Sequence, residues 1–360
     1  MKFEFKKEAS KVLDYILFPG IYYFLDEQKN FEDDLIKIIS EEYREFVEKS
    51  HSLLNDYKED IKKYYNDDIY SSYDFTNILV HGFPVYDYKN EHEYLKSLTD
   101  IDDLEFRKKI IKTLMTLDED DKPTKDEDQE VFTESKALEY INELKIDSSN
   151  KWNLLMMIQN PKTYLKGFIG LLEKVQSIFY NYYEKHEKDV EALGFDLVNR
   201  LSKDTEKTFK EITHDSISYD FTGSDICYLY VSAVYPHSLR FITTNQSRII
   251  WGMRMEESFN KLYEIREDKL TQRVKIFKAL GDKTRYETLK LLASGISSIK
   301  DIAQTLDVSS ATISYHVNEF LTSGILNLKL EKNKKSGYKV DYNKLKEVID
   351  EFIADLNFPE

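Results

Sequence analysis

The stretch 302-IAQTLDVSSATISYHVNEFLTSGIL-326 admits few folds. Ser298 can cap a short helix over 299-IKDIAQTLD-307, with Ile299, Ile302, Ala303 and Leu306 facing inward. Val308 and Ser309 leave room only for a tight turn. Ser309 then caps a second helix over residues 310–322, and Gly324 ends it. Ala303, Val308, Ile313 and Val317 fall where the two helices must touch. Helix, tight turn, helix at this spacing is a helix-turn-helix.

The flanking residues extend the unit. Asp282 is placed to cap 283-KTRYETLKLLASG-295, and Gly295 supplies the stop signal. A preceding helix carries Val274, Phe277, Ala279 and Leu280. Two strands follow the helix-turn-helix, 326-LNLKLE-331 and 337-GYKVDY-342, joined by the basic tip 332-KNKKS-336. A hairpin in that place is a wing. A last amphipathic helix over 343–356 presents Leu345, Val348, Ile349, Phe352 and Ile353 on one side.

In such a unit the first turns of the second helix enter the major groove of DNA. With Ile313, Val317, Phe320 and Leu321 inward, Ser310, Ala311, Ser314 and Tyr315 are expected on the outer face. Ser309 and Thr312 belong to the same helix start. Their hydroxyls suit base edges or phosphates. Lys332, Lys334 and Lys335 are expected on phosphates or in the minor groove. His316 is expected to pack at the helix edge. Arg285 is open between a phosphate contact and a bridge between helices.

The runs 277-FKALGDKTRYETLKLLASG-295 and 302–326 together resemble the ArsR/SmtB family of bacterial winged-helix repressors. The likeness rests on Ala279-Leu280-Gly281-Asp282-Lys283-Thr284-Arg285 and on Ser309, Thr312, Ser314, His316-Val317, Phe320 and Gly324-Ile325. Lys283 stands where that family usually has Pro, and Val317 where it has Leu. The resemblance implies a homodimer pairing through the first and last helices of the unit, bound to an inverted-repeat operator in double-stranded DNA. The family's metal ligands are not matched. The segment 296-ISSIKDIAQ-304 has no Cys, and 344-KLKEVIDEFIADL-356 has no His. Control by something other than a soft metal is expected, with no cofactor.

Charge is divided unevenly along the chain. Its net charge is -15, yet residues 268–360 hold 15 Lys+Arg against 13 Asp+Glu. The acidic excess therefore lies in the rest, which suits one anionic partner at one end. The single cysteine, Cys227, excludes an intrachain disulfide framework. No signal peptide and no membrane span can be read, so a cytoplasmic protein without membrane contact is expected.

Residues 1–265 are expected to be mostly helical, with strands at about 226–253, and to form a regulatory unit that receives an unknown ligand or protein signal. Residues 266–360 are the winged-helix unit. The fold class is thus mainly α with small antiparallel β. Helices are expected over 1–65, interrupted at Pro19-Gly20, and again over 102–116 and 135–212. Residues 67–88 read as irregular. The segment 226-ICYLYVSAVYPHSLRFITTNQSRIIWGM-253 reads as two or three antiparallel strands. In it, 229-LYVSAVYPHSLRF-241 resembles the strand pair that ends the helical extensions of some ArsR-like regulators.

Other chemistries find little support. The acidic run 118-DEDDKPTKDEDQEVF-132 lacks the glycine and the register of a calcium loop and reads as a linker. His186-Glu187 begins a zincin motif, but Val190 stands where the second His is required. No phosphate-binding glycine loop occurs. His214-Asp215 reads as a surface pair, and Cys227 as a small apolar residue in a strand. Tyr64, Tyr65, Tyr70, Tyr73, Phe75, Tyr86 and Tyr88 are open between a pocket lining and core, with core favoured. No enzyme is expected. The other functional class left open is a winged-helix interaction module without specific DNA readout.

Overall fold

The computed structural model describes residues 1–25, 33–65, 75–85, 88–118, 134–144, 148–219, 226–242, 247–267, 269–330 and 337–358. The chain opens with a strand, β1 (Lys2–Phe5), and not with helix. Helix α1 (Lys7–Leu17) follows, then a 3-10 turn over Phe18–Tyr23 that takes up Pro19. The long helix expected up to Tyr65 is broken into α2 (Asp33–Ile38), α3 (Glu41–Leu54) and α4 (Lys58–Tyr64). Residues 75–82, expected to be irregular, form α5 (Phe75–Gly82). Then come α6 (Glu91–Asp100), α7 (Asp103–Asp118), α8 (Glu134–Glu143) and α9 (Ser148–Gln159). Most of the acidic linker lies outside the described residues.

Helix α10 (Pro161–Lys203) is the pillar of this body. At 43 residues it runs roughly 65 Å, at about 1.5 Å per residue. Pro161 opens it, where no intrahelical N–H is missed. Leu165, Phe168, Leu172, Val175, Phe179, Tyr183, Val190, Leu197 and Leu201 form its buried stripe at helical spacing. Gly194 interrupts that stripe because the Phe5 ring of β1 lies against it. A Cβ there would sit 2.4 Å from the ring.

After α11 (Thr205–Thr213) the chain forms β2 (Ile217–Tyr219), β3 (Ile226–Ser232), β4 (Leu239–Ile242) and β5 (Ser247–Gly252). Only β4 and β5 make the expected antiparallel pair, with Leu239 opposite Trp251. β3 runs parallel to β5 from Cys227↔Ser247 to Ser232↔Gly252, and β1 runs parallel to β3. The result is a four-stranded mixed sheet of order β1-β3-β5-β4. Of its three parallel strands, β3 and β5 are largely buried, while β1 buries only Phe3. That is why β3 and β5 read as near-continuous apolar runs.

The loop that leaves β3 is fastened from inside. The fully buried carboxylate of Asp14 accepts from Ser232 Oγ (2.5 Å), Ala233 N (2.7 Å) and Val234 N (3.2 Å). His237 accepts the Ser40 N–H at Nε2 (3.2 Å), so its proton sits on Nδ1, 2.8 Å from Ser258 Oγ. Burial pushes this imidazole down to about 4, so it is a neutral clamp at pH 7. Tyr64, Tyr65 and Phe75 are core residues, as favoured from the sequence; Tyr70, Tyr73 and Tyr86 lie outside the described residues. Cys227 is fully buried in β3 and its thiol is pushed up to about 12.

Helices α12 (Met255–Glu267) and α13 (Lys269–Leu280) lead into α14 (Lys283–Ala293), α15 (Ile299–Leu306) and α16 (Ser310–Ser323), then β6 (Leu326–Leu330), β7 (Gly337–Val340) and α17 (Tyr342–Asp355). Two buried clusters result. One draws on residues from Phe3 to Phe259, the other on residues from Ile276 to Val348. A seam joins them. β2 adds to the wing as a parallel third strand, with Ile217 opposite Leu328 and the Leu328 N–H donating to Ser216 O (3.3 Å). Ile217 is buried in the first cluster, and Leu328 packs against it. No described helix is long and apolar enough to cross a membrane.

Candidate nucleic-acid interface

Local caps build the helix-turn-helix. Asp282 accepts the Arg285 N–H (2.8 Å), which starts α14 and holds the Asp282 carboxyl below its usual range. Gly295, at φ +98°, lets the chain turn back, and Ile296 N–H donates to Leu291 O (3.1 Å). Ser298 caps α15 through the Asp301 N–H (3.2 Å). Asp307 takes the left-handed conformation (φ 54°) that stops α15, a setting Asp tolerates. Val308 N–H then returns to Ala303 O (3.0 Å).

Ser309 begins α16. Its Oγ accepts the Thr312 N–H (3.1 Å) and lies 2.8 Å from Thr312 Oγ1. Gly324, at φ 80°, closes the helix through Leu321 O and Phe320 O. Ile302, Ala303, Ile313, Val317 and Phe320 are buried together with Leu289 and Leu292 beneath it. Against this scaffold the first turns of α16 present Ser309 and Ala311 as exposed, and Ser310, Thr312 and Tyr315 as half-buried.

Ser314 is a correction. It was expected on the outer face and is only 2% exposed. It lies three residues before Val317 and next to Ile313, so it sits on the flank of the inward stripe and is carried inside. Its Oγ has no hydrogen-bond partner among the described residues. Asn318, half-buried and three residues after Tyr315, takes the outward place instead. Helical spacing from Ala311 and Tyr315 was the signal that could have found it.

Arg285 bridges helices. Its Nη1 donates to Glu319 Oε2 on α16 at 2.6 Å, and its Cζ lies 5.8 Å from the Tyr315 ring centroid. His316 packs inside, 7% exposed, with its ring 5.8 Å from that of Tyr315. Burial and then the Arg285 charge push its pKa down, partly offset by Asp282 and Glu319.

The wing pairs Leu326↔Val340 and Leu328↔Tyr338 on one face, and Asn327↔Lys339 and Lys329↔Gly337 on the other. Lys329 and Lys339 therefore share an exposed face. Lys332, Lys334 and Lys335 fall outside the described residues.

A helix-turn-helix with an appended two-stranded wing defines a winged helix, a fold whose open helix start fits the major groove. An uncharacterised HTH-type transcriptional regulator of Methanocaldococcus jannaschii is 37% identical over 83 residues. The match covers 92% of that protein and 23% of this chain. The chain belongs to the helix-turn-helix transcriptional regulators, carrying a body far larger than that relative has room for. No protein-family profile matches it, and no solved structure does.

Proposed function

We propose that this protein is a sequence-specific DNA-binding repressor of the ArsR type, acting in the cytoplasm as a homodimer on an inverted repeat. Residues 266–360 are the DNA-binding unit. Residues 1–265 are the regulatory unit, which receives a ligand or protein signal and has no enzymatic role. The observation that carries the reading is the capped, uncharged start of α16, open to solvent above a filled core. Ser309, Ser310, Ala311, Thr312 and Tyr315 read the groove. The lysines of the wing strands, Lys329 and Lys339, attract phosphate together with Lys332, Lys334 and Lys335 of the sequence between them.

The apolar face of α13 and α17 supports the dimer. Phe277 and Phe352 pack at 4.9 Å, which joins the two helices into one surface. Around them Leu270 is 63% exposed and Val274 60%, and Ile349 and Ile353 are exposed too. Residues of this kind are normally covered.

Retardation assays across a salt series, with duplexes selected from random sequence by the purified protein, test the reading. A selected site should outcompete random duplex, and log affinity should fall linearly with log salt. Equal affinity for both at every salt concentration would refute specific regulation and leave the winged helix as an interaction module.

A further inference from the structure

Helix α16, SATISYHVNEFLTS, carries no Lys or Arg and one carboxylate, Glu319. That carboxylate does not face solvent. Its side chain is 5% exposed and takes the guanidinium of Arg285, itself 15% exposed, at 2.6 Å. Arg285 belongs to the first turn of α14, and its backbone N–H is held by Asp282. Its guanidinium thus has the inner Glu319 carboxylate at 2.6 Å, the more exposed Asp282 carboxylate at 4.0 Å from Nε, and the Tyr315 ring 5.8 Å away. An arginine at the margin of a DNA-reading face is a hazard as well as a resource. Its planar fork fits any phosphate, whatever the sequence. A buried Arg–carboxylate pair adds little net stability, so its use is better sought in specificity.

We propose that Glu319 is a specificity-determining residue: it holds Arg285 against Tyr315 and withholds that cation from the DNA backbone. This rests on the DNA-binding reading above. The pair acts in two ways at once. It fixes the ring that reads bases through cation–π contact, and it removes one sequence-independent attraction. Tyr315 is the residue that touches DNA; Glu319 and Arg285 are positioning residues.

The test uses the full chain with Glu319→Gln, Arg285→Gln and the double variant, each checked by its melting curve. Random duplex and a selected site are titrated over a salt series. Glu319→Gln should bind random duplex several-fold more tightly, with a slope of log affinity against log salt steeper by about one, the value for one added phosphate contact. Its preference for the selected site should fall. The double variant should return the slope and the random-duplex affinity to those of the wild type without restoring preference. Arg285→Gln alone should lose preference with no change of slope, and it carries the test if Glu319→Gln does not fold. The proposal is overturned if Glu319→Gln keeps the wild-type slope and preference, or if the double variant keeps the steep slope. A wild-type protein with no preferred duplex would instead overturn the DNA-binding reading, and this proposal with it.

Discussion

The body and the winged helix are filled by different means. Among the described residues the body core is dense in aromatics, with Phe18, Phe168, Phe179, Tyr64, Tyr94, Tyr183 and Trp251 all fully buried. It also buries polar anchors across long sequence distances, as Asp14 does to Ser232, Ala233 and Val234. The winged-helix core is aliphatic, with Phe320 its one aromatic among the described buried residues. Its order comes from short-range caps at Asp282, Ser298 and Ser309. Long-range anchors make the body a structure that must form as a whole. Short-range caps make the winged helix a structure that each segment prefers by itself.

Substitutions can break that contrast. Phe320→Ala should have the largest effect, costing about 3–5 kcal/mol of stability by emptying the centre of the smaller core. Urea unfolding measures it, and a cost near zero would show that the aliphatic shell closes over the gap. Asp14→Ala should come next, at about 3 kcal/mol, because three buried donors lose their acceptor at roughly 1 kcal/mol or more each. A loss confined to one of two thermal transitions would show that the cores melt apart.

Asp14 also sets a pH dependence. Burial pushes its carboxyl up from 3.8 to about 7, against the pull of its three donors. Between those values the folded chain holds a proton that the unfolded chain has released. Its contribution to stability is therefore lost as pH rises through that window and is level above it. Asp14→Asn should flatten this decline in a melting series from pH 4 to pH 8; an unchanged profile would assign it to other groups.

Tyr315→Ala should leave the melting temperature in place and cost about 1–3 kcal/mol of specific DNA binding. An unaltered ratio of selected to random affinity would remove Tyr315 from the reading set. The smallest effect is expected from Lys329→Ala with Lys339→Ala. It should weaken all duplexes alike and flatten the salt slope by about 0.9 per lost phosphate contact.

How far the residues foretold the structure follows the same contrast. The helix-turn-helix was legible because its caps at Ser298 and Ser309 and its closing Gly324 each hydrogen-bond to a residue no more than four positions away. Ser314 was misplaced because a flank residue has no polarity signal that separates it from its neighbour on the open side. Arg285 was left undecided because Glu319 stands 34 positions away and only folding brings them together. In the body, β1 was missed because four residues, Lys2–Phe5, give too short a pattern before an amphipathic helix. The parallel pairing of β3 with β1 was not legible either. The two strands stand more than 200 residues apart, and no turn sequence announces a crossover.

The seam at Ser216–Tyr219 has a consequence for handling the molecule in parts. Among the described residues, the strand covering the outer edge of β6 is β2, which belongs to the other half of the chain. Cutting the polypeptide near residue 266 would strip that cover. It would leave a row of backbone N–H and C=O groups facing water beside Leu328, an open template for pairing with any passing strand. During synthesis the order is favourable: the covering strand leaves the ribosome more than a hundred residues before the edge it protects, so the wing never has to emerge bare.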